Sequence, residues 1–361
     1  MIGGGGTGGH IFPALAIAHE IQSRFPAAQI LFVGAEGRME MTKVPEAGFN
    51  IIGLPIAGLQ RSLSVRNLAL PIKVFSSLQK AISLVRTFKP DIAIGVGGYA
   101  SMPLLLAARI LGVPYLIQEQ NSFAGLTNKL LANRAKAVCV AFDKMDRYFP
   151  RKRILVTGNP VRTDLIHNHV TQYEALTHFG LRPGKPTILV MGGSLGARTI
   201  NESVSGALRM WKEAGVQLIW QTGKAYAEKA KNQLIQLNSA DFITMPFIQD
   251  MPQAYAAADV VVSRAGALSL AEICITGKAS ILVPSPNVAE DHQTKNALSL
   301  VEADAAQMVT DKTAHQELAA TVLKLVQSPA LIDQMGMAAH RLARPDATKV
   351  IVNQIVELAK L

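Results

Sequence analysis

The residues best suited to chemistry sit just after glycine-rich turns. Ser263-Arg264-Ala265-Gly266 separates a β-branched run, Asp259-Val260-Val261-Val262, from a helix-forming stretch, Ala267-Leu268-Ser269-Leu270-Ala271-Glu272. A strand, a tight turn and a helix start aim backbone N–H groups and the positive end of the helix dipole at one point, which suits a phosphate. Glu272 follows about a turn and a half into that helix, within reach of a ribose diol whose phosphates the turn holds. Taken alone, the stretch is equally an ordinary βα unit with a structural glycine and a solvated Glu. Three further glycine-rich turns shift the balance: Gly3 to Gly9 ahead of His10, Gly97-Gly98-Tyr99-Ala100-Ser101, and Gly192-Gly193-Ser194-Leu195-Gly196-Ala197-Arg198. His10 can take up a proton near neutral pH and is a candidate general base, although a lone His at a helix start is more often a structural hydrogen-bonding residue. No Asp-x-Asp sequence is present to hold a divalent ion against a diphosphate. No metal or cofactor is therefore expected. Turn N–H groups, helix dipoles and Arg162 or Arg264 are expected to neutralise a leaving diphosphate.

The elements that must position these residues read as alternating strands and helices. Strands are expected at Gln29–Gly34, Phe49–Leu54, Asp91–Val96, Tyr115–Ile117, Val138–Ala141 and Ile154–Thr157. The second half repeats the plan with strands at Thr187–Met191, Gln217–Gln221, Phe242–Met245, Val260–Val262 and Ser280–Val283, and a last helix from Ala347 to Lys360 capped by Asp346. Such a pattern predicts two doubly wound parallel sheets, with glycine turns and polar residues at carboxyl edges that face a shared cleft. Gly158-Asn159-Pro160-Val161-Arg162 reads as the hinge, giving an N-terminal domain over 1–158, a C-terminal domain over 159–340, and a final helix over 341–361 packing back on the first domain. Almost no chain precedes the first glycine turn, so the first strand reads as nearly absent.

Bulk properties narrow the class. The 361 residues are 49% hydrophobic and 17% charged, a globular composition long enough for two cores. Cys139 and Cys274 stand far apart in apolar settings and read as buried thiols in a reducing, cytosolic compartment. The net charge of +10 lies entirely in residues 1–160, which hold 18 Lys plus Arg against 8 Asp plus Glu, whereas the remainder balances at 18 against 18. Between Glu46 and Asp91 there is no acid, while Arg61, Arg66, Lys73, Lys80, Arg86 and Lys89 are interleaved with Leu63, Leu68, Leu70, Ile72, Val74 and Phe75. Part of this is a helix with a solvated basic face; as a whole it predicts a patch that rests on anionic lipid headgroups. The basic half is poor in aromatics and lacks a nucleic-acid signature, so nucleic acid is not an expected partner.

Seven motifs in order, covering essentially the whole chain, carry a family resemblance. They are Gly4-Gly5-Gly6-Thr7-Gly8-Gly9-His10, Gly97-Gly98-Tyr99, Glu119-Gln120-Asn121, Ala124-Gly125-Leu126-Thr127-Asn128, Gly158-Asn159-Pro160-Val161-Arg162, Gly192 to Arg198, and Arg264-Ala265-Gly266-Ala267-Leu268. Together they resemble the MurG family, the family 28 N-acetylglucosaminyltransferases that make lipid II at the cytoplasmic membrane face. The resemblance implies a GT-B fold and inverting, metal-independent transfer of GlcNAc from UDP-GlcNAc to the C4 hydroxyl of MurNAc in undecaprenyl-diphospho-MurNAc-pentapeptide. It further implies a peripheral location on the inner membrane, a role in peptidoglycan synthesis and so in cell shape and division, and cell-wall synthesis proteins as partners. By the family pattern Thr7, Gly8, Gly9 and Asn121 face the donor sugar and diphosphate, and Arg162 and Ser194 belong to the diphosphate region. Ile248 presents backbone to uracil, and Ala267, Leu268, Ser269, Leu270, Ala271 and Glu272 bind diphosphate and ribose. Gln293, with Asn296 nearby, reads the GlcNAc hydroxyls, and His10 matches the position of the general base. The chain departs from the pattern in its short first strand and at Ser269 and Ala271, which are small-for-small changes.

Other readings use the same residues. A UDP-GlcNAc 2-epimerase would share the fold and donor site without a lipid-facing patch. A nicotinamide oxidoreductase would use the G-x-G-x-x-G match at Gly3, Gly5 and Gly8, with Glu36 after the second strand holding a ribose. A catalytically silent sugar-nucleotide sensor would differ from the transferase only in lacking the base.

Overall fold

The computed structural model describes residues 1–56, 70–288 and 291–360. Arg61, Leu63, Arg66, Leu68 and the Leu70 side chain, all within the acid-free interval, lie outside the described residues, as does Glu290. The chain divides into two units, Met1–Val161 with Pro345–Leu361, and Arg162–Arg344.

In the first unit β1 (Ile2–Gly3), α1 (Gly8–Arg24), β2 (Leu31–Ala35), α2 (Glu40–Glu46) and β3 (Asn50–Leu54) are followed by α3 (Leu70–Phe88), β4 (Ala93–Gly95) and α4 (Ser101–Ile110). Then come β5 (Tyr115–Glu119), α5 (Leu126–Leu131), β6 (Ala137–Val140) and β7 (Ile154–Val156). Among the described residues the strands form one sheet in the order β3-β2-β1-β4-β5-β6-β7, with every pairing parallel. The first strand is short but central: Ile2 and Gly3 pair with Phe32 and Val33 on one side and with Ile94 and Gly95 on the other. Strand order reverses between β1 and β4, which is where parallel α/β sheets open a crevice for ligands.

Residues alternate between the two faces of this sheet, and both faces are covered. Val33, Ala93, Tyr115, Ile117, Val138 and Val140 join one cluster with Ala81 and Val85 of α3 and Leu104 and Leu105 of α4. Phe32, Ile94, Leu116 and Cys139 join the other with Ile11, Ile17 and Ala18 of α1 and with Ile351, Val352 and Ile355 of the C-terminal helix, Ala347–Ala359. Asp346 precedes that helix, but its side chain makes no capping hydrogen bond; its carboxylate lies 3.7 Å from Lys349 Nζ instead. Cys139 and Cys274 are free and buried, and burial pushes both thiols up to about 12.

The second unit begins with α6 (Thr163–Ile166) and α7 (Gln172–His178), followed by β8 (Thr187–Met191), α8 (Arg198–Glu213), β9 (Gln217–Gln221), α9 (Ala227–Leu237) and β10 (Phe242–Met245). It continues through α10 (Met251–Ala257), β11 (Val260–Ser263), α11 (Ala267–Thr276), β12 (Ala279–Leu282), α12 (His292–Val301), β13 (Gln307–Met308), α13 (Ala314–Val326) and α14 (Pro329–Arg341). The sheet order β10-β9-β8-β11-β12-β13 is again parallel, and it reverses between β8 and β11. Ile188, Val190, Trp220, Val260 and Val262 pack against Ile200, Val204 and Trp211 of α8 and Leu318 and Val322 of α13. β13 has no counterpart among the expected strands. It is a two-residue edge strand, too short to show a period.

Candidate active site

At the reversal point of the first sheet, the loop after β1 is built around a carboxylate from elsewhere in the sequence. Glu40, at the start of α2, is 1% exposed and accepts from Ala35 N (3.0 Å) and Gly6 N (3.0 Å). The Gly6 N–H that a dinucleotide pyrophosphate would use is thus already committed to an anion, which argues against the oxidoreductase reading. Glu36, the other element of that reading, is half-exposed and lies 3.3 Å from Lys80 Nζ. Nothing local in the sequence signals that Glu40 holds the first glycine loop, because Gly6 is 34 residues away.

His10 sits in the first turn of α1. Its Nδ1 lies 3.1 Å from Gly5 O and 3.2 Å from Thr7 Oγ1. A carbonyl only accepts, so Nδ1–H donates to Gly5 O, and the neutral ring keeps its lone pair on Nε2. The turn after β4 packs against this ring. Gly97 has φ 91°, and a Cβ there would lie 2.9 Å from His10 Cδ2 and 3.1 Å from Nε2, so a side chain would displace the imidazole. Thr7 begins α1 without a side-chain cap, and with Gly8 and Gly9 it forms the exposed lip of the loop.

Next to this turn, Glu119 at the end of β5 organises the Asn121 loop. It is 2% exposed; Oε1 accepts from Asn121 N (3.1 Å), and Oε2 accepts from Gly125 N (3.0 Å) and Asn128 Nδ2 (2.8 Å). Burial raises its pKa, opposed by the donors from Gly125, Asn128 and Asn121. Gln118 donates to Asn159 Oδ1 (3.1 Å), and Asn159 donates to Gln120 O (3.0 Å), so the polar strand end is braced from below. Glu119 and Gln118 escaped the residue-by-residue assignment because they act on loop geometry, which a motif alone does not reveal.

In the second unit α11 starts at Ala267 after Gly266, and α8 starts at Arg198 after Ala197; neither has a side-chain N-cap. Helix starts left without a side-chain cap keep first-turn N–H groups directed at the loop mouth, the arrangement a phosphate needs. Gly196 (φ 78°) lies so close to Thr222 O that no side chain fits, and Ser194 is exposed at the loop tip. Gln221 at the end of β9 ties two parts together, donating to Gly193 O (3.1 Å) and accepting from Ile248 N (2.8 Å). The Ile248 N–H is therefore spent internally.

Glu272 projects from α11 with its side chain 16% exposed. Its Oε2 accepts from Tyr255 Oη (3.0 Å), and its Oε1 lies 3.8 Å from Arg162 Nε. Burial raises its pKa, and the Arg162 charge and the Tyr255 hydroxyl pull it back. Arg264, expected as an alternative neutraliser of the diphosphate, is engaged elsewhere. Its Nη1 donates to Val283 O (3.0 Å), Pro284 O (3.1 Å) and Asp311 Oδ1, fastening the strand ends. Of the two arginines, only Arg162 stands beside Glu272. Gln293 Oε1 accepts from Ser285 N (2.8 Å), which commits that oxygen to the loop before α12. Asn296 is fully buried and donates to Ala265 O (3.3 Å), which supports the turn before α11. Leu270 is also buried, and its backbone N–H already donates to Gly266 O (3.0 Å).

Comparisons with known proteins agree with this geometry. The N-terminal domain model of glycosyltransferase family 28 matches residues 1–140, and the C-terminal domain model matches 187–351. A Cytophaga hutchinsonii relative, named UDP-N-acetylglucosamine--N-acetylmuramyl-(pentapeptide) pyrophosphoryl-undecaprenol N-acetylglucosamine transferase, is 57% identical over 358 residues, 99% of this chain and 96% of its own. The crystal structure of Acinetobacter baumannii MurG is 32% identical, with a TM-score of 0.79, covering 98% of this chain and 97% of that one. A Neisseria meningitidis UDP-GlcNAc 2-epimerase bound to UDP-GlcNAc matches 96% of this chain and 97% of its own with a TM-score of 0.65 at 15% identity, a likeness of fold alone. Two parallel doubly wound units of the GT-B kind, matched in both halves by one family and along the full length by its transferases, place the chain in glycosyltransferase family 28.

Proposed function

We propose that this enzyme transfers GlcNAc from UDP-GlcNAc to the C4 hydroxyl of MurNAc in undecaprenyl-diphospho-MurNAc-pentapeptide, forming a β-1,4 link with inversion. The observation that carries the reading is the 57% identity, over 99% of the chain, to a relative bearing that activity as its name. Inversion is a single displacement: the acceptor oxygen bonds to the anomeric carbon, the bond from that carbon to the diphosphate breaks, and UDP leaves with the electron pair. His10 Nε2 accepts the hydroxyl proton, and the imidazolium formed keeps its Nδ1–H on Gly5 O, which holds the ring in place. The N–H groups at the start of α11 around Leu268 and Ser269, the Ser194 loop and Arg162 receive the diphosphate charge. Glu272 accepts from the ribose diol, and the Ile248 carbonyl accepts N3–H of uracil. The Gln293 amide donates to a GlcNAc hydroxyl; Thr7, Gly8, Gly9 and Asn121 border the sugar and diphosphate.

The acceptor's polyprenyl chain requires work at a membrane surface. Among the described residues no helix is long and apolar enough to cross a membrane. On α3, Ile72 is 72% exposed and Phe75 62%, a turn apart beside exposed Lys73. α3 packs on α4, whose end exposes Ile110 beside a basic cavity of about 390 Å³ lined by Arg109, Arg134 and Lys136. Apolar side chains among cations favour a peripheral seat on an anionic leaflet.

The test is UDP release from UDP-GlcNAc with and without a lipid-linked MurNAc-pentapeptide acceptor. Release that requires the acceptor is expected. UDP and free N-acetylmannosamine formed without acceptor would instead favour a hydrolysing epimerase, and acceptor-independent interconversion of the nucleotide sugars a non-hydrolysing one.

A further inference from the structure

Tyr255 lies on α10 and is fully buried. A buried phenol is costly unless its hydroxyl finds an acceptor. The Tyr255 hydroxyl has two neighbours, Glu272 Oε2 at 3.0 Å and the weakly accepting Met191 Sδ at 3.9 Å. Its hydrogen bond is therefore directed at the one carboxylate that the proposed function assigns to the nucleotide ribose.

A Glu on a helix surface samples several rotamers, and a diol recognised by both carboxylate oxygens needs one of them. Tyr255 reaches Glu272 from the buried side, while Arg162 stands 3.8 Å from the other oxygen. Each carboxylate oxygen accepts more than one hydrogen bond, so the phenol does not compete with a ribose hydroxyl for Oε2. The guanidinium and the phenol also favour the ionised carboxylate, opposing the burial and the nearby Asp164 charge on α6 that raise its pKa.

We propose that Tyr255 is a positioning residue for nucleotide recognition, holding Glu272 in the orientation and charge state that accept the ribose diol. It acts through Glu272 and touches no ligand itself. The inference rests on the ribose reading of Glu272, and the experiment separates the two.

Binding of UDP and of 2′,3′-dideoxy-UDP is measured by calorimetry across pH for wild type, Tyr255→Phe, Glu272→Gln and the double variant. Tyr255→Phe removes one oxygen without opening a large cavity, and unchanged affinity for the dideoxy nucleotide serves as the control for folding. Tyr255→Phe is expected to weaken UDP roughly ten-fold, about one hydrogen bond to a charged group, with dideoxy-UDP unaffected. The acid limb of UDP affinity is expected to move to higher pH, because the carboxylate has lost a donor. The double variant is expected to bind UDP no worse than Glu272→Gln alone. Equal weakening of both nucleotides, or UDP binding unchanged in Tyr255→Phe while Glu272→Gln weakens it, overturns the role of Tyr255 and leaves Glu272 in place. If Glu272→Gln itself does not reduce the preference for UDP over dideoxy-UDP, the ribose reading fails and the proposal falls with it.

Discussion

Replacing Glu119 by Gln probes whether a buried carboxylate organises the Asn121 loop. The two oxygens accept from two sets of donors: Asn121 N and, at 3.5 Å, Asn121 Nδ2 on Oε1, and Gly125 N with Asn128 Nδ2 on Oε2. A Gln must point its NH2 at one set. The less costly choice faces Asn121, taking this acceptor from a part-buried N–H at about 1–3 kcal/mol. The two bonds kept lose their charge assistance, about 1 kcal/mol each. Because burial outweighs the donors in setting the Glu119 pKa, relief of the desolvated carboxylate offsets the lost charge assistance, and a net loss of roughly 1–3 kcal/mol, that of the unmatched donor, is expected. Because burial raises the Glu119 pKa in the folded state, its ionisation makes stability fall as pH rises from the ordinary carboxylate range through the folded value. The variant should lack that component. Urea unfolding followed by circular dichroism at several pH values reads both effects, and turnover with saturating donor reads the displaced loop. A variant that unfolds at the wild-type midpoint with the wild-type pH dependence would refute the reasoning, since the network would then be holding nothing.

Other outcomes follow from the proposed site. Glu272→Ala should weaken UDP-GlcNAc binding by about 1.5–3 kcal/mol, and it also strips the buried Tyr255 hydroxyl of its carboxylate acceptor at a stability cost of about 1–3 kcal/mol; unchanged affinity in calorimetry would remove the ribose assignment. Because burial raises the Glu272 pKa, wild-type donor affinity should fall on acidification at a pH above the ordinary Glu range, as the carboxylate is protonated; a flat profile down to pH 4.5 would contradict it. Turnover should persist in excess EDTA, because the sequence has no Asp-x-Asp and helix starts can receive the diphosphate; activity restored only by magnesium or manganese would count against this site. Charge reversal of Arg66, Lys73 and Lys80 to Glu should release the protein from anionic vesicles, at about 1 kcal/mol per basic residue, as should added salt for wild type. Turnover on a short-chain soluble acceptor should survive the reversals. The Lys80–Glu36 pair is half-exposed and too weak to compensate, so retained vesicle binding would mean that the segment is not a docking surface.

Most of the architecture was legible from local pattern. Thr187–Met191, Gln217–Gln221 and Phe242–Met245 have the bounds expected from the sequence, and α11 starts at Ala267, directly after the glycine turn. These boundaries depend on side-chain period and turn chemistry, which neighbouring residues set among themselves. The ordered set of seven motifs was sufficient to identify the family before any distance was known. What a given polar side chain does was decided only by tertiary structure. Arg264 has the right type and place for a phosphate ligand, yet Asp311, 47 residues on, captures it together with two carbonyls. Glu40 reaches 34 residues back to take the N–H that the first glycine loop offers. Asn296 and Gln221 are turned inward to brace turns, and Tyr255 finds Glu272 from a helix earlier in the chain. A hydrogen bond or ion pair depends on which groups long-range packing brings within about 3 Å, and no local period in the sequence records that distance.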